Sequence, residues 1–260
     1  MKLSGKVAIV TGSTAGIGKG IALMFAKEGA ALCIVGRNAE RGEKTVKEIE
    51  AAGGEAFFIK ADVGSSEDMR MIVDKTVEKF GKLDIMVNNA AVIHNAGLLD
   101  LKEDDWDMII RNNLRSVFLG SKYAAAQMVK QGKGGRIINI SSIHARISEP
   151  QAAPYTAAKG GIEAFTRTIA TELAPHRITA NILAPGATYT ELTVPMYTPA
   201  VKEALYKRIP LKAIANPEDI ACGALFMASD ESWYMTGARI CIDGGYEMDG
   251  SLPDAKYWTE

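Results

Sequence analysis

Tyr155 and Lys159 stand four residues apart. On a helix that spacing puts both side chains on one face. A free phenol has a pKa of about 10 and moves protons poorly at neutral pH. A neighbouring ammonium favours the phenolate and draws that value toward the working range. The positive end of a helix dipole acts in the same sense. The pair therefore suits acid–base work at an oxygen, although a surface tyrosine beside a solvated lysine has the same spacing. Its placement is more telling: the apolar run 136–140 ends at Ser141-Ser142 shortly before it, and ligands of open α/β sheets bind where strands end in this way.

A second segment with chemical potential is Thr11-Gly12-Ser13-Thr14-Ala15-Gly16-Ile17-Gly18. It lies between an apolar run and a helical pattern. Glycines there let the chain turn tightly, bring backbone N–H groups to a pyrophosphate and pack the helix on the sheet. A glycine cluster alone is only a tight turn; the strand before it and the helix after it make it a dinucleotide loop.

The elements needed to hold these segments are legible as alternation. Strand-like runs at 7–11, 31–35, 57–59, 83–87, 136–140, 178–183 and 240–242 are mainly apolar rather than alternating. Runs of that kind are buried on both faces and, joined by helices, form a parallel sheet. Helical patterns occupy 16–29, 39–52 (closed by Gly53-Gly54), 66–80, about 104–131, and 156–173. Ser65 and Asp68 have capping-box spacing, and Asn216-Pro217-Glu218-Asp219 is a strong helix start. With seven strands rather than eight and a glycine-rich first turn, the expected fold is a single-domain, doubly wound Rossmann α/β fold with helices on both faces. Residues 187–215, with several prolines, are expected to be an irregular substrate loop. The tail 246–260, carrying Tyr257 and Trp258, is expected to dock on a neighbouring subunit.

Composition narrows the function. The 260 residues are 47% hydrophobic with a net charge of -1, so no global field recruits nucleic acid or an anionic membrane. No apolar run is long enough to span a bilayer, the N-terminus lacks a signal-peptide cleavage pattern, and cytoplasm is the expected compartment. Cys33, Cys222 and Cys241 are far apart, and no His/Cys/Asp cluster calls for a metal. A serine hydrolase built on Ser142 is excluded because no G-x-S-x-G elbow surrounds it.

The glycine spacing G-x-x-x-G-x-G resembles that of the short-chain dehydrogenase/reductases, and the resemblance runs from about residue 3 to 245. In that family a catalytic serine precedes the tyrosine by thirteen positions, which selects Ser142 over Ser141. The resemblance further implies that Asn113 holds a relay water, with Asn112 an adjacent competitor, and that Asn89-Ala90 lie beside the nicotinamide ribose. Ala91 stands where that family usually has glycine. Asp62-Val63 match its adenine-contacting pair, and Pro185, Gly186, Thr188 and Thr190 its carboxamide-gripping segment. The implied reaction is hydride transfer between a nicotinamide dinucleotide and a secondary alcohol or carbonyl, with Tyr155 and Lys159 also touching the cofactor. The second strand ends in Val35-Gly36-Arg37-Asn38 without an acid, which favours NADP over NAD, although Ala15 stands where many NADP-using members carry another basic residue.

The substrate is expected to be small and hydroxylated, sugar- or polyol-like, or a ketone. His94, His144, Arg146, Glu149 and Tyr189 are the candidate contacts. A 3-oxoacyl carrier-protein reductase is the alternative, and a silent dinucleotide-binding regulator a lesser one. The family is commonly tetrameric, so a homotetramer is expected.

Overall fold

The computed structural model describes residues 1–250; Tyr257 and Trp258, and with them most of the tail expectation, lie outside the described residues. Five consecutive buried residues form β1 (Val7–Thr11), which leads through the glycine loop into α1 (Gly16–Lys27). The chain continues through β2 (Ala31–Gly36), α2 (Ala39–Ala51), β3 (Glu55–Lys60), α3 (Ser66–Phe80) and β4 (Ile85–Asn88). The second half carries α4 (Glu103–Ile110), a π-helical segment (Arg111–Arg115), α5 (Ser116–Gln131), β5 (Gly135–Ile140), α6 (Ala153–Leu173) and β6 (Ile178–Pro185). It closes with α7 (Pro199–Arg208), α8 (Pro217–Ala228) and β7 (Arg239–Ile242). All seven strands are parallel in one sheet of order β3-β2-β1-β4-β5-β6-β7, which confirms the doubly wound Rossmann architecture.

Strand side chains alternate between two cores. Val10 and Ile34 join Ile21 and Phe25 of α1, Ile49 of α2 and Met227 of α8 on one face. Their neighbours Ile9 and Cys33 join Ile72 of α3 and Leu119 and Met128 of α5 on the other. The chain reverses direction across the sheet between β1 and β4, so their carboxyl ends open a crevice where ligands of such sheets bind. Among the described residues no helix is long and apolar enough to cross a membrane.

Several expectations need correction. β1 keeps its expected bounds and the other strands are longer than their apolar runs, except β4: it starts at Ile85, because both backbone groups of Leu83 are taken by the Gln131 amide. Helix α6 begins at Ala153 rather than 156, with Pro154 in its first turn. The expected capping box at α3 is half formed: Ser65 accepts from the Asp68 N–H, but the Asp68 carboxylate accepts from Asp62 N instead. The helix expected over 104–131 is interrupted by the π segment, where the Asn112 amide donates to the Met108 carbonyl. Residues 187–215 are not irregular throughout. Thr198 caps α7 by accepting from Val201 N, and the helix has no buried residue. A helix without a core face has no apolar periodicity to read.

Candidate active site

A cavity of about 730 Å³ runs along the carboxyl edge of the sheet from the start of α2 to α7. Tyr155, Lys159, Ser142, the glycine loop and the loop after β6 all line it.

The glycine loop fits closely against the end of β4. Gly12 has φ +67°, and a Cβ there would lie 2.8 Å from Ala90 Cα. A Cβ on Gly18 would collide with the Asn89 amide and the Gly12 carbonyl. Thr11, which sequence reasoning passed over, ties the two strand ends: its hydroxyl accepts from the N–H groups of Asn89 (2.9 Å) and Ala90 (3.1 Å). Asn89 in turn donates to the Thr11 carbonyl at 2.9 Å. No side chain caps α1, and its first turn holds no acid. Thr14, Gly16 and Ile17 line the cavity at this helix start, so its free N–H groups and dipole face the space a pyrophosphate needs. These residues fit a dinucleotide. Ser13 does not share that role: it is fully buried, donates to the Val10 carbonyl (2.6 Å) and accepts from Val35 N (3.0 Å), joining β1 to β2.

Beyond Gly36 the cavity wall carries Arg37 and, unforeseen from sequence, Arg41 in the first turn of α2. Asn38 is instead the cap of α2, accepting from Arg41 N at 2.9 Å. Asp62 and Val63 line the same end. A hydrogen bond from Arg111 at 2.6 Å holds the Asp62 carboxyl below the usual carboxylate range.

At the other end lies the Ser–Tyr–Lys group. Tyr155 sits in the first turn of α6 and lines the cavity together with Ser142. Lys159 Nζ is 5.5 Å from the tyrosine ring centroid and donates to the Ile140 carbonyl at 2.8 Å. The expectation that the ammonium lowers the phenol pKa is not met. Burial raises the phenol above its ordinary value, the Ser142 hydroxyl opposing it, and burial pushes the lysine itself down to about 8. Asn113 is fully buried off the wall, with its amide accepting from Val92 N and donating to Val92 O, both at 2.8 Å; Asn112 reaches the wall. The π segment thus clamps the loop that follows β4.

Behind the site a chain of buried polar groups fixes α6. Asn88 donates to Asn139 (2.8 Å), which donates to Thr166 of α6 (2.9 Å). Glu163, one turn past Lys159, accepts from Arg239 Nε (2.6 Å) and Arg146 Nε (3.1 Å), and Ser141 Oγ is 3.4 Å away. Arg239 also pairs with Glu247. Arg146 is therefore held by Glu163 away from the cavity, contrary to its candidacy as a substrate contact.

Of the other substrate candidates, His144 and Glu149 line the cavity. His94 is off the wall, 3.4 Å from Asp105, and Tyr189 turns to α7, with its hydroxyl 3.2 Å from that of Tyr206. Tyr197 occupies the wall in its place, packed edge-on against Tyr189. Pro185, Gly186, Thr188 and Thr190 line the cavity as expected, and Thr190 is braced by Thr193 at 3.0 Å.

The arrangement matches known proteins along most of its length. A family model described as enoyl-(acyl carrier protein) reductase matches residues 12–247. A 3-oxoacyl-(acyl-carrier-protein) reductase of Thermotoga maritima is 40% identical over 245 residues, covering 94% of this chain and 99% of that protein. Glucose 1-dehydrogenase 2 of Bacillus subtilis is 38% identical over 253 residues, covering 95% of this chain and 96% of that protein. The crystal structure of a short-chain type dehydrogenase/reductase from Mycobacterium marinum superposes with a TM-score of 0.90 at 37% identity, covering 94% of this chain and 96% of that one. The chain belongs to the short-chain dehydrogenase/reductase family. It is an NAD(P)-dependent oxidoreductase that exchanges a secondary alcohol with its carbonyl.

Proposed function

We propose that the chain works as one catalytic domain that takes NADP and interconverts a small, uncharged hydroxylated substrate with its ketone. The observation that carries this reading is that Ser142, Tyr155 and Lys159 line the same cavity as the glycine loop. When bound, the dinucleotide supplies or accepts the hydride. Tyr155 donates a proton to the substrate oxygen in reduction and removes it in oxidation, while Ser142 orients that oxygen. Lys159 binds the ribose hydroxyls and returns protons to the phenol, and Asn113, whose amide is spent on Val92, keeps the loop after β4 in place rather than holding the relay water with its side chain. Asn89 and Ala90 bound the ribose, Pro185 to Thr190 the carboxamide, and Asp62 and Val63 the adenine.

Arg37 and Arg41 support NADP over NAD: two cations on the wall, with Asp62 already neutralised by Arg111, suit a phosphate on the adenosine ribose. Each charge-assisted hydrogen bond is worth about 1.5–3 kcal/mol. Replacing Arg37 and Arg41 with alanine is therefore expected to weaken NADPH binding by at least about tenfold and leave NADH binding little changed, as read by fluorescence titration. Tighter binding of NADH than NADPH by the unaltered protein would contradict the assignment.

The apolar residues Leu192, Met196, Val201 and Leu205 on the far wall favour the second reading, a 3-oxoacyl carrier-protein reductase, since they suit an acyl chain. Turnover of acetoacetyl thioesters in preference to polyols decides for it. The compartment proposed is the cytoplasm. Exposed Phe118 on α5 and Trp233 and Tyr234 after α8 support a homotetramer.

A further inference from the structure

We propose that Glu149 is a specificity-determining residue that filters substrates by charge: with His144 it admits neutral α-hydroxyketones and vicinal diols and turns away carboxylates. The inference rests on the reading of the cavity as the place of alcohol–carbonyl exchange, and adds the chemical class that enters it.

The argument begins with the cations. Among the described residues lining the cavity they are Arg37, Arg41 and Lys159. The first two lie at the β2 end, far along the wall from Ser142. The third is buried and spends its ammonium on the Ile140 carbonyl. Nearby arginines are also engaged elsewhere: Arg146 is held by Glu163, and Arg208 covers the outer face of Tyr246 at 5.5 Å from the ring centroid. Apart from Lys159, which is assigned to the ribose, a substrate carboxylate at Tyr155 meets no side-chain counter-charge on the wall. It meets an acid instead, Glu149 on the loop after Ser142, whereas Glu191 lies beside Gly16 of the glycine loop. Taking a carboxylate out of water without a partner is costly, and a like charge adds to that cost.

What the same wall offers a neutral molecule is a hydrogen-bond acceptor. The His144 backbone N–H donates to Ser142 Oγ at 3.1 Å, which sets the imidazole beside the reacting hydroxyls. Its Nδ1 is buried 3.5 Å from the Glu149 carboxylate. Burial favours the neutral ring, opposed by Glu149 and the Ser148 backbone. A neutral imidazole donates from one ring nitrogen and keeps the other as an acceptor. An acceptor there takes an O–H from the carbon next to the reacting one, and a carboxylate has no hydrogen to give. The charge of Glu149 is also felt at the Tyr155 phenol, whose proton it helps to retain, so carboxylate and reacting oxygen are within electrostatic reach.

Acetoin and acetoacetate test this directly. Both are four-carbon methyl ketones; one carries a hydroxyl beside the carbonyl and the other a carboxylate. The expected result is a higher kcat/KM for acetoin, with the preference narrowing as salt is raised, since Glu149 is partly solvated and screened. In Glu149→Gln the acetoin-to-acetoacetate ratio of kcat/KM is expected to fall by about tenfold, through the KM of acetoacetate, and to lose its salt dependence. Glu149→Asp, which keeps the charge, is expected to keep the preference, separating charge from loop packing. A ratio unmoved by Glu149→Gln, or a wild-type preference for acetoacetate, overturns the filter while leaving the proposed reaction standing. Reduction of neither ketone under conditions where polyols are not oxidised overturns both.

Discussion

Phenylalanine at position 155 is expected to lower kcat by about 10²–10⁴-fold, the usual worth of a positioned general acid–base, while the dinucleotide still binds. Only one oxygen is removed. The aromatic ring still fills the first turn of α6, and the glycine loop, Arg37 and the loop after β6 are untouched. Lys159 donates to the Ile140 carbonyl, and the Ser142 oxygen accepts from the His144 backbone N–H. The change in stability is small, about 1 kcal/mol for one removed hydroxyl, so a melting curve close to the wild type distinguishes loss of chemistry from loss of fold. A variant with a dinucleotide dissociation constant near the wild type and kcat within about tenfold of it would remove Tyr155 from the reaction.

The second large effect is structural in origin and catalytic in consequence. Alanine in place of Glu163 strips the buried carboxylate from between Arg239 and Arg146. Removing one partner of a buried ion pair costs about 3–5 kcal/mol, because the other charge stays behind. For a chain of this size that is a fall in melting temperature on the order of 10 °C. Arg239 keeps Glu247, which places the loss at the lower end of the range. The same carboxylate holds α6, bearing Tyr155 and Lys159, to the Ser141–Arg146 loop, bearing Ser142. Activity is therefore expected to fall even at temperatures where the variant is folded, with kcat more affected than KM. Replacing Glu163 and Arg239 together with methionine is expected to recover part of the stability, since a buried ion pair is commonly matched by packed apolar groups. A Glu163→Ala melting curve indistinguishable from the wild type would show that the network does not brace the site.

Why these two positions differ in legibility is instructive. Tyr155 was readable because its chemistry lies in local order: Ser142 thirteen residues before it, Lys159 four after, all at the end of one strand and the start of one helix. The Glu163–Arg239 pair spans 76 residues and joins a helix to the last strand, so no local pattern announces it. The same division runs through the fold. Apolar runs such as Val7–Thr11 disclosed the parallel sheet, and Asn216 with Asp219 disclosed the start of α8, because burial and capping leave marks within a few residues. Helix α7 left none, having no buried face. In the site, Arg37 was readable as the end of β2, whereas Arg41 reaches the same wall only through the direction in which α2 departs. His94 and Tyr189 were adjacent in sequence to wall residues and turn out to face Asp105 and Tyr206, since the direction a loop side chain takes is set by its tertiary partners.

The central claim is that this cavity passes a hydride directly between the nicotinamide and a carbinol carbon. Mass spectrometry of the alcohol formed from a ketone substrate and NADPH deuterated at the transferable nicotinamide position tests it in one step. The account predicts one deuterium on the carbinol carbon and none exchanged to water. An unlabelled product, or label released to solvent, would contradict it.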